Sequence, residues 1–287
     1  MTWLVTGAGG MLARDVLLRL AEDGEAAVGV DRRALDITDE DAVREVFDDH
    51  RPTVVVNCAA WTGVDAAETA EPDALRVNGE GPRHLAVLSA KHGARLLHVS
   101  TDYVFAGDAA APYRETDRPL PRTAYGRSKL AGEQAVLDLL PGDGYVVRTG
   151  WLYGAGGANF VRTMIRLERK RDTVDVVGDQ CGQPTWTADL AERLVALGSA
   201  GAAPAGIYHG TSAGAASWYD LAREVFRLLG ADPDRVRRVP TSAVPRPAPR
   251  PASSLLAHDG WAAAGIEPIR DWRQALAAAF PALRNCS

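Results

Sequence analysis

The N-terminal segment constrains the fold more than any other stretch. Trp3-Leu4-Val5-Thr6 is a short apolar run that ends in Gly7-Ala8-Gly9-Gly10, after which Met11, Leu12, Val16, Leu17 and Leu20 recur at helical spacing. The pattern reads as a strand, a tight glycine turn and a helix. Such a turn lets a pyrophosphate approach the backbone and sit on the helix N-terminus, where unpaired N–H groups and the helix dipole favour an anion. The spacing Gly7-x-x-Gly10-x-x-Ala13 puts alanine where the dinucleotide-binding pattern has its last glycine, still small enough for helix and strand to pack closely. For this segment alone, a structural turn is the competing reading.

The same rhythm continues down the chain. Ala27 to Val30 forms the next apolar run and ends on Asp31-Arg32-Arg33. An acid there can bind the adenosine ribose hydroxyls, whereas arginines accommodate a 2′-phosphate, so NADPH is expected with NADH tolerated. Thr38 is a plausible N-cap for a helix carrying Val43, Val46 and Phe47. Val54-Val55-Val56 is a continuous β-branched run, as expected of a strand buried on both faces, and it ends in Asn57-Cys58-Ala59-Ala60. Leu96-Leu97-His98-Val99 and Tyr145-Val146-Val147-Arg148 follow as further strands. Strands alternating with helices predict an α/β fold, a Rossmann-like doubly wound parallel sheet, with ligands outside the carboxyl ends of the strands. Gly10, Ala60, Asn78 and Thr101 are then expected to gather at one edge. Residues 1–150 read as the NAD(P)-binding part, with parts of 172–208 returning to it, and 151–287 mainly as a smaller, mixed substrate domain. The proline- and arginine-rich stretch 233–251 is expected to be an ordered, extended segment on the substrate side.

The chemistry is expected at Tyr125-Gly126-Arg127-Ser128-Lys129. Positions i and i+4 share a helix face, which places the Tyr125 phenol beside the Lys129 ammonium. A nearby cation favours phenolate, so a lowered tyrosine pKa is expected. The chain has only three lysines, Lys91, Lys129 and Lys170, and otherwise uses arginine; keeping a compact ammonium here is informative. Taken alone, the pair also fits an exposed helix face carrying a tyrosine and a lysine.

A formal net charge of −5 and a pI near 5.7 argue against a nucleic-acid binder. Cys58, Cys181 and Cys286 are few and widely spaced, without a Cys-x-x-Cys or a histidine pair at zinc spacing, which fits a reducing cytosol. No targeting signal or membrane span is read, and a cytoplasmic monomer or homodimer is expected.

Several stretches together carry a resemblance. They are Val56 to Asp65, Val99-Ser100-Thr101-Asp102-Tyr103-Val104-Phe105, Tyr125 to Glu133, Arg148 to Gly154, Asn159 to Met164, Asp179 to Thr185 and Trp218-Tyr219-Asp220. In this order they resemble an extended short-chain dehydrogenase/reductase, and within it the dTDP-4-dehydrorhamnose reductases and their nucleotide-sugar 4-ketoreductase relatives. The resemblance implies NAD(P)H-dependent reduction of the C4 ketone of a dTDP-4-keto-6-deoxyhexose, in deoxysugar biosynthesis. It implies that Thr101 hydrogen-bonds the C4 carbonyl oxygen, that Tyr125 protonates it, and that Lys129 holds the nicotinamide ribose. By the same likeness Gly10, Met11, Leu12, Asp31, Asp36, Ile37, Ala60, Trp61 and Thr62 line the dinucleotide, with Gly7, Arg32, Ala59, Asn78 and Ser100 completing that wall. Asp102, Tyr103, Trp151 and Arg250 face the sugar nucleotide.

Two departures bear on this. Some relatives form metal-bridged dimers through acidic side chains; Asp15 corresponds to one such position, but Ala188 stands at the other, so no metal is expected. Related dehydratases place a glutamate after the Thr-Asp pair, and here that position is Tyr103, which favours reduction over elimination. A cofactor-binding regulatory subunit without turnover, of the kind that pairs with methionine adenosyltransferase, and an epimerase or dehydratase on similar substrates remain the alternatives.

Overall fold

The structure, a computed structural model, describes residues 1–285; Cys286 and Ser287 lie outside them. The central sheet has six strands: β1 (Thr2–Thr6), β2 (Ala26–Val30), β3 (Val54–Asn57), β4 (Arg95–Thr101), β5 (Gly144–Thr149) and a last strand, Gly206–His209. They run in the order last strand, β5, β4, β3, β1, β2, every pair parallel. Chain direction across the sheet reverses between β1 and β3, which leaves a crevice at their carboxyl ends, where ligands of such sheets bind.

Alternation along each strand sends its side chains to two separate cores. Val5, Val54, Val56 and Leu97 pack with Val16 and Leu20 of α1 (Met11–Glu22) and with Leu190 and Leu194 of helix Thr187–Ser199. Leu4, Val55, Leu96 and Val146 face the other way, onto Val43 and Phe47 of α2 (Glu40–His50), Leu85 of helix Gly81–His92 and Val136 of helix Ala124–Leu139. The residues capping α2 differ from expectation. Asp39, not Thr38, is its N-cap, accepting from the Asp41 and Ala42 N–H groups, while Thr38 is tied to the Asp36 carboxylate.

Beyond Gly150 a second core forms around Tyr153, Ile165, Leu221, Phe226, Trp272 and Leu276. Its helices are Phe160–Glu168, Trp218–Leu229 and Trp272–Asn285, beside a parallel pair of short strands, Val174–Val177 and Val236–Val239. Helix Trp218–Leu229 starts on a capping box made by Ser217 and Asp220. Helix Thr187–Ser199 and strand Gly206–His209 interrupt this region to rejoin the main sheet. The segment after Val239 crosses back as a strap: Asp65 accepts from the Ala248 N–H, and Ser253 and Ser254 bond the carbonyls of Gly107 and Cys181. Among the described residues no helix is long and apolar enough to cross a membrane.

A candidate active site at the carboxyl edge of the sheet

Strand ends, helix Ala124–Leu139 and the strap enclose a cleft of ≈ 820 Å³, a size that suits a cofactor and substrate together. Its floor is the glycine turn. Gly7 has φ +68°, and a Cβ there would lie 2.8 Å from the Ala59 nitrogen, so only glycine lets the two loops approach this closely. Gly10 is the N-cap of α1 and offers no side chain to the first-turn N–H groups, while a Cβ on Gly9 would meet nothing within 4 Å. Open backbone donors at a helix start suit a pyrophosphate. Ser100 adds a buried hydroxyl without a partner beside the same space. These residues fit a dinucleotide.

The expected cofactor residues separate into three groups. Gly10, Met11, Leu12, Ala60, Thr62 and Ser100 line the cleft. Asp31, Arg32 and Asp36 sit outside it at the end of β2: Asp31 accepts from the Arg33 and Ala34 N–H groups, and Arg32, 84% exposed, reaches Asp36 only at 3.8 Å. The guanidinium is otherwise turned to solvent. Ile37, Ala59, Asn78 and Trp61 act beneath the surface or beside it. Ile37 is buried against Gly81. Asn78 exchanges hydrogen bonds with the Trp61 backbone (2.8 and 3.0 Å) and donates to Ser128 Oγ at 2.9 Å, joining the loop after β3 to helix Ala124–Leu139. Trp61 donates its indole N–H to Gly63.

Thr101, Tyr125 and Lys129 all line the cleft. Thr123 caps their helix, its hydroxyl accepting from the Gly126 N–H at 3.0 Å. Lys129 is 2% exposed and donates to the Val99 carbonyl at 2.8 Å, with His98 Nε2 at 3.2 Å. Burial lowers its pKa to about 8, against the pull of the Glu133 carboxylate towards the ammonium. The tyrosine departs from expectation. Burial pushes Tyr125 up to about 12, the nearby Thr101 hydroxyl pulls downward, and the charge of Asp102 pushes up again. No lowering by Lys129 offsets this, and desolvation dominates. Without a bound ligand Tyr125 is therefore a neutral phenol, a proton donor and not a base.

Thr101 donates to Asp102 Oδ1 at 3.0 Å and accepts from the Tyr103 N–H. Asp102 is buried, which raises it to about 6 despite hydrogen bonds from Ser254 and Thr101. Tyr103 meets Tyr125 edge to face at 5.7 Å between ring centroids. Beneath the helix, Glu133 and Arg148 of β5 form an ion pair in which both side chains are 1% exposed.

The opposite wall is aromatic and apolar. Trp151, held at φ +51°, stacks on Trp218 at 3.5 Å, and Phe160 tilts against the same ring. From the strap, Arg250 reaches Asp65 at 2.8 Å and Arg246 approaches the same carboxylate at 3.6 Å. Sequence reasoning missed Asp65, Trp218, His98 and Asn57. A histidine inside an apolar strand and an asparagine closing a valine run were the signals present for the last two.

A profile of the RmlD substrate binding domain family matches residues 1–285. The chain is 60% identical over 284 residues to a dTDP-4-dehydrorhamnose reductase from Streptomyces griseus, covering 98% of this chain and 93% of that one. It is 57% identical over 281 residues to a dTDP-4-keto-6-deoxy-D-glucose reductase from Streptomyces niveus, covering 98% and 97%. A crystal structure of a dTDP-4-dehydrorhamnose reductase from Bacillus anthracis in complex with NADP superposes with a TM-score of 0.91 at 36% identity, covering 98% of this chain and 97% of that one.

Proposed function

The chain belongs to the RmlD substrate binding domain family and is an NAD(P)H-dependent nucleotide-sugar 4-ketoreductase, and we propose that Thr101, Tyr125 and Lys129 carry its chemistry on a dTDP-4-keto-6-deoxyhexose. The observation that carries this reading is a phenol held neutral by burial, lining the same dinucleotide-sized cleft as a threonine hydroxyl and a buried lysine.

A nicotinamide bound in the cleft supplies the hydride that reaches C4. As it arrives, negative charge develops on the C4 oxygen. Thr101 donates a hydrogen bond to that oxygen, giving up its bond to Asp102, and Tyr125 delivers its proton. Lys129 stands one helical turn away as the buried cation of the site. Arg32 meets a 2′-phosphate, which favours NADPH over NADH. Trp151 and Trp218 give the sugar nucleotide an apolar face, and Arg250 turns from Asp65 to its diphosphate. Tyr103, whose phenol burial holds well above its ordinary value, stands where an elimination would need a carboxylate. Residues 1–150 with the returning strand and helix hold the cofactor, and the second core with its strap holds the substrate. Every group invoked lies on one chain, and a cytosolic setting suits the free Cys58 and Cys181.

The test is direct. NADPH is mixed with the chain and a dTDP-4-keto-6-deoxyhexose, and loss of the reduced cofactor's near-ultraviolet absorbance is followed with NMR of the sugar product. Stoichiometric loss with a new C4 hydroxyl is expected; tight cofactor binding without turnover would instead mark a regulatory subunit.

A further inference from the structure

Thr6, Asn57 and His98 occupy matched register positions on β1, β3 and β4, so their side chains stand in a row on one face of the sheet. All three are buried, and none takes part in the reaction described above. Thr6 Oγ1 donates to Asn57 Oδ1 at 2.6 Å, and the Ala59 backbone N–H donates to the same oxygen at 3.1 Å. A backbone N–H can only donate, so the pair fixes which end of the Asn57 amide is oxygen. The NH2 end is thereby aimed at His98 Nδ1, 2.9 Å away. With Nδ1 accepting, a neutral imidazole carries its proton on Nε2. The imidazole is neutral, since burial and the nearby Lys129 hold it well below the usual histidine range.

That Nε2–H points at Lys129 Nζ, 3.2 Å away. Against an ammonium it would set donor against donor, whereas a neutral amine offers it a lone pair. We propose that His98 is a positioning residue, oriented by Asn57 and Thr6, that hydrogen-bonds the neutral amine form of Lys129 and so makes the Lys129 ammonium a ready proton donor. Its catalytic consequence rests on the 4-ketoreductase reading; its geometry does not.

Once Tyr125 has protonated the C4 oxygen, a phenolate is left in a site that disfavours it. By way of a bridging water, one N–H bond of the Lys129 ammonium breaks, the O–H bond of Tyr125 re-forms, and the electron pair stays on Nζ, where the His98 Nε2–H meets it. The amine regains its proton from solvent when product leaves. Burial favours this direction, since it holds the phenol high and the ammonium low. The other groups facing the lysine do not reverse this. Cys58, from the loop after β3, is raised by burial to about 12 and stays a thiol. Glu133, one turn further along the same helix, is held by Arg148.

Two measurements on the full chain without ligand test the placement. In protein labelled with 15N at histidine, long-range proton–nitrogen spectra above pH 8 are expected to show His98 as the Nε2–H tautomer; an Nδ1–H tautomer overturns the proposal. With three lysines in the chain, 13C labelling at lysine Cε isolates Lys129, assigned by its loss in Lys129→Met. Its titration midpoint is expected to rise by about one pH unit in His98→Phe, the size of one net hydrogen bond, and to return most of the way in His98→Gln, whose amide can still donate. An unchanged or lower midpoint in His98→Phe overturns the proposal. Asn57→Asp keeps the acceptor for Thr6 and Ala59 but turns the third bond around, so it is expected to switch His98 to Nδ1–H and raise the lysine midpoint; retention of the wild-type tautomer there also overturns it. If the wild-type signals stand but NADPH is not consumed with a 4-ketosugar nucleotide, the reductase reading and the reprotonation step fall while the proton placement survives.

Discussion

On the sheet side of the cleft, buried Lys129 is tied to strand backbone, Thr101 to Asp102 and Arg148 to Glu133. On the strap side, Arg250 and Arg246 share one partly exposed carboxylate, Asp65, and Trp151 leans on a second tryptophan. The first wall holds its groups on buried partners, so their positions are set before substrate arrives. The second offers contacts that can be exchanged, as a wall must when it lets a large, charged ligand in and out. Desolvation shifts pKa values on the first wall; on the second, ion pairs are screened and individually weak.

Substitutions on the two walls are expected to differ in kind. Glu133→Ala leaves the Arg148 guanidinium buried without its counter-ion, and a loss of about 3–5 kcal/mol in unfolding free energy is expected from denaturant titration. A loss below ~1 kcal/mol would show that water reaches this pair and that the sheet side is softer than described. Tyr125→Phe removes the proton donor while keeping the ring and its contact with Tyr103; turnover is expected to fall about 10²-fold or more with NADPH binding nearly unchanged. Wild-type turnover in that variant would remove Tyr125 from the chemistry. Across the cleft, Arg250→Ala is expected to raise KM for the sugar nucleotide by about 10-fold with stability and kcat little altered, as for a charge-assisted contact made equally in ground and transition states. A matching fall in kcat would instead place Arg250 with the rigid wall. The smallest effect is expected at Arg32→Ala, a weakening of NADPH by roughly 3- to 10-fold with NADH unaffected; equal changes for both cofactors would remove the 2′-phosphate contact.

What the sequence disclosed depended on range. The strand, glycine turn and helix at the N-terminus are written in neighbouring residues, and so is the Tyr125 to Lys129 spacing; periodicity finds both. The row of Thr6, Asn57 and His98 exists only once β1, β3 and β4 lie side by side, which no local pattern reports. Asp65 holds Arg250 across 185 positions of chain. The burial of Ile37 against Gly81, on a helix far along the chain, is likewise beyond any local pattern. The expected drop in the Tyr125 pKa failed for a different reason. Helical spacing shows which charge is near, but not how much water is excluded, and exclusion of water is the larger effect here.

The central claim is that this site delivers a proton from Tyr125 to a sugar C4 oxygen while hydride reaches the same carbonyl. It is tested most directly by turnover with NADPH deuterated at the nicotinamide C4 and a dTDP-4-keto-6-deoxyhexose, with the product read by NMR. Deuterium at the sugar C4 in the wild-type product, and almost none formed over the same time by Tyr125→Phe, is the result expected. A product without deuterium at the sugar C4 from NADPH carrying it at both positions of the nicotinamide C4, or deuterium at another sugar carbon, would contradict it.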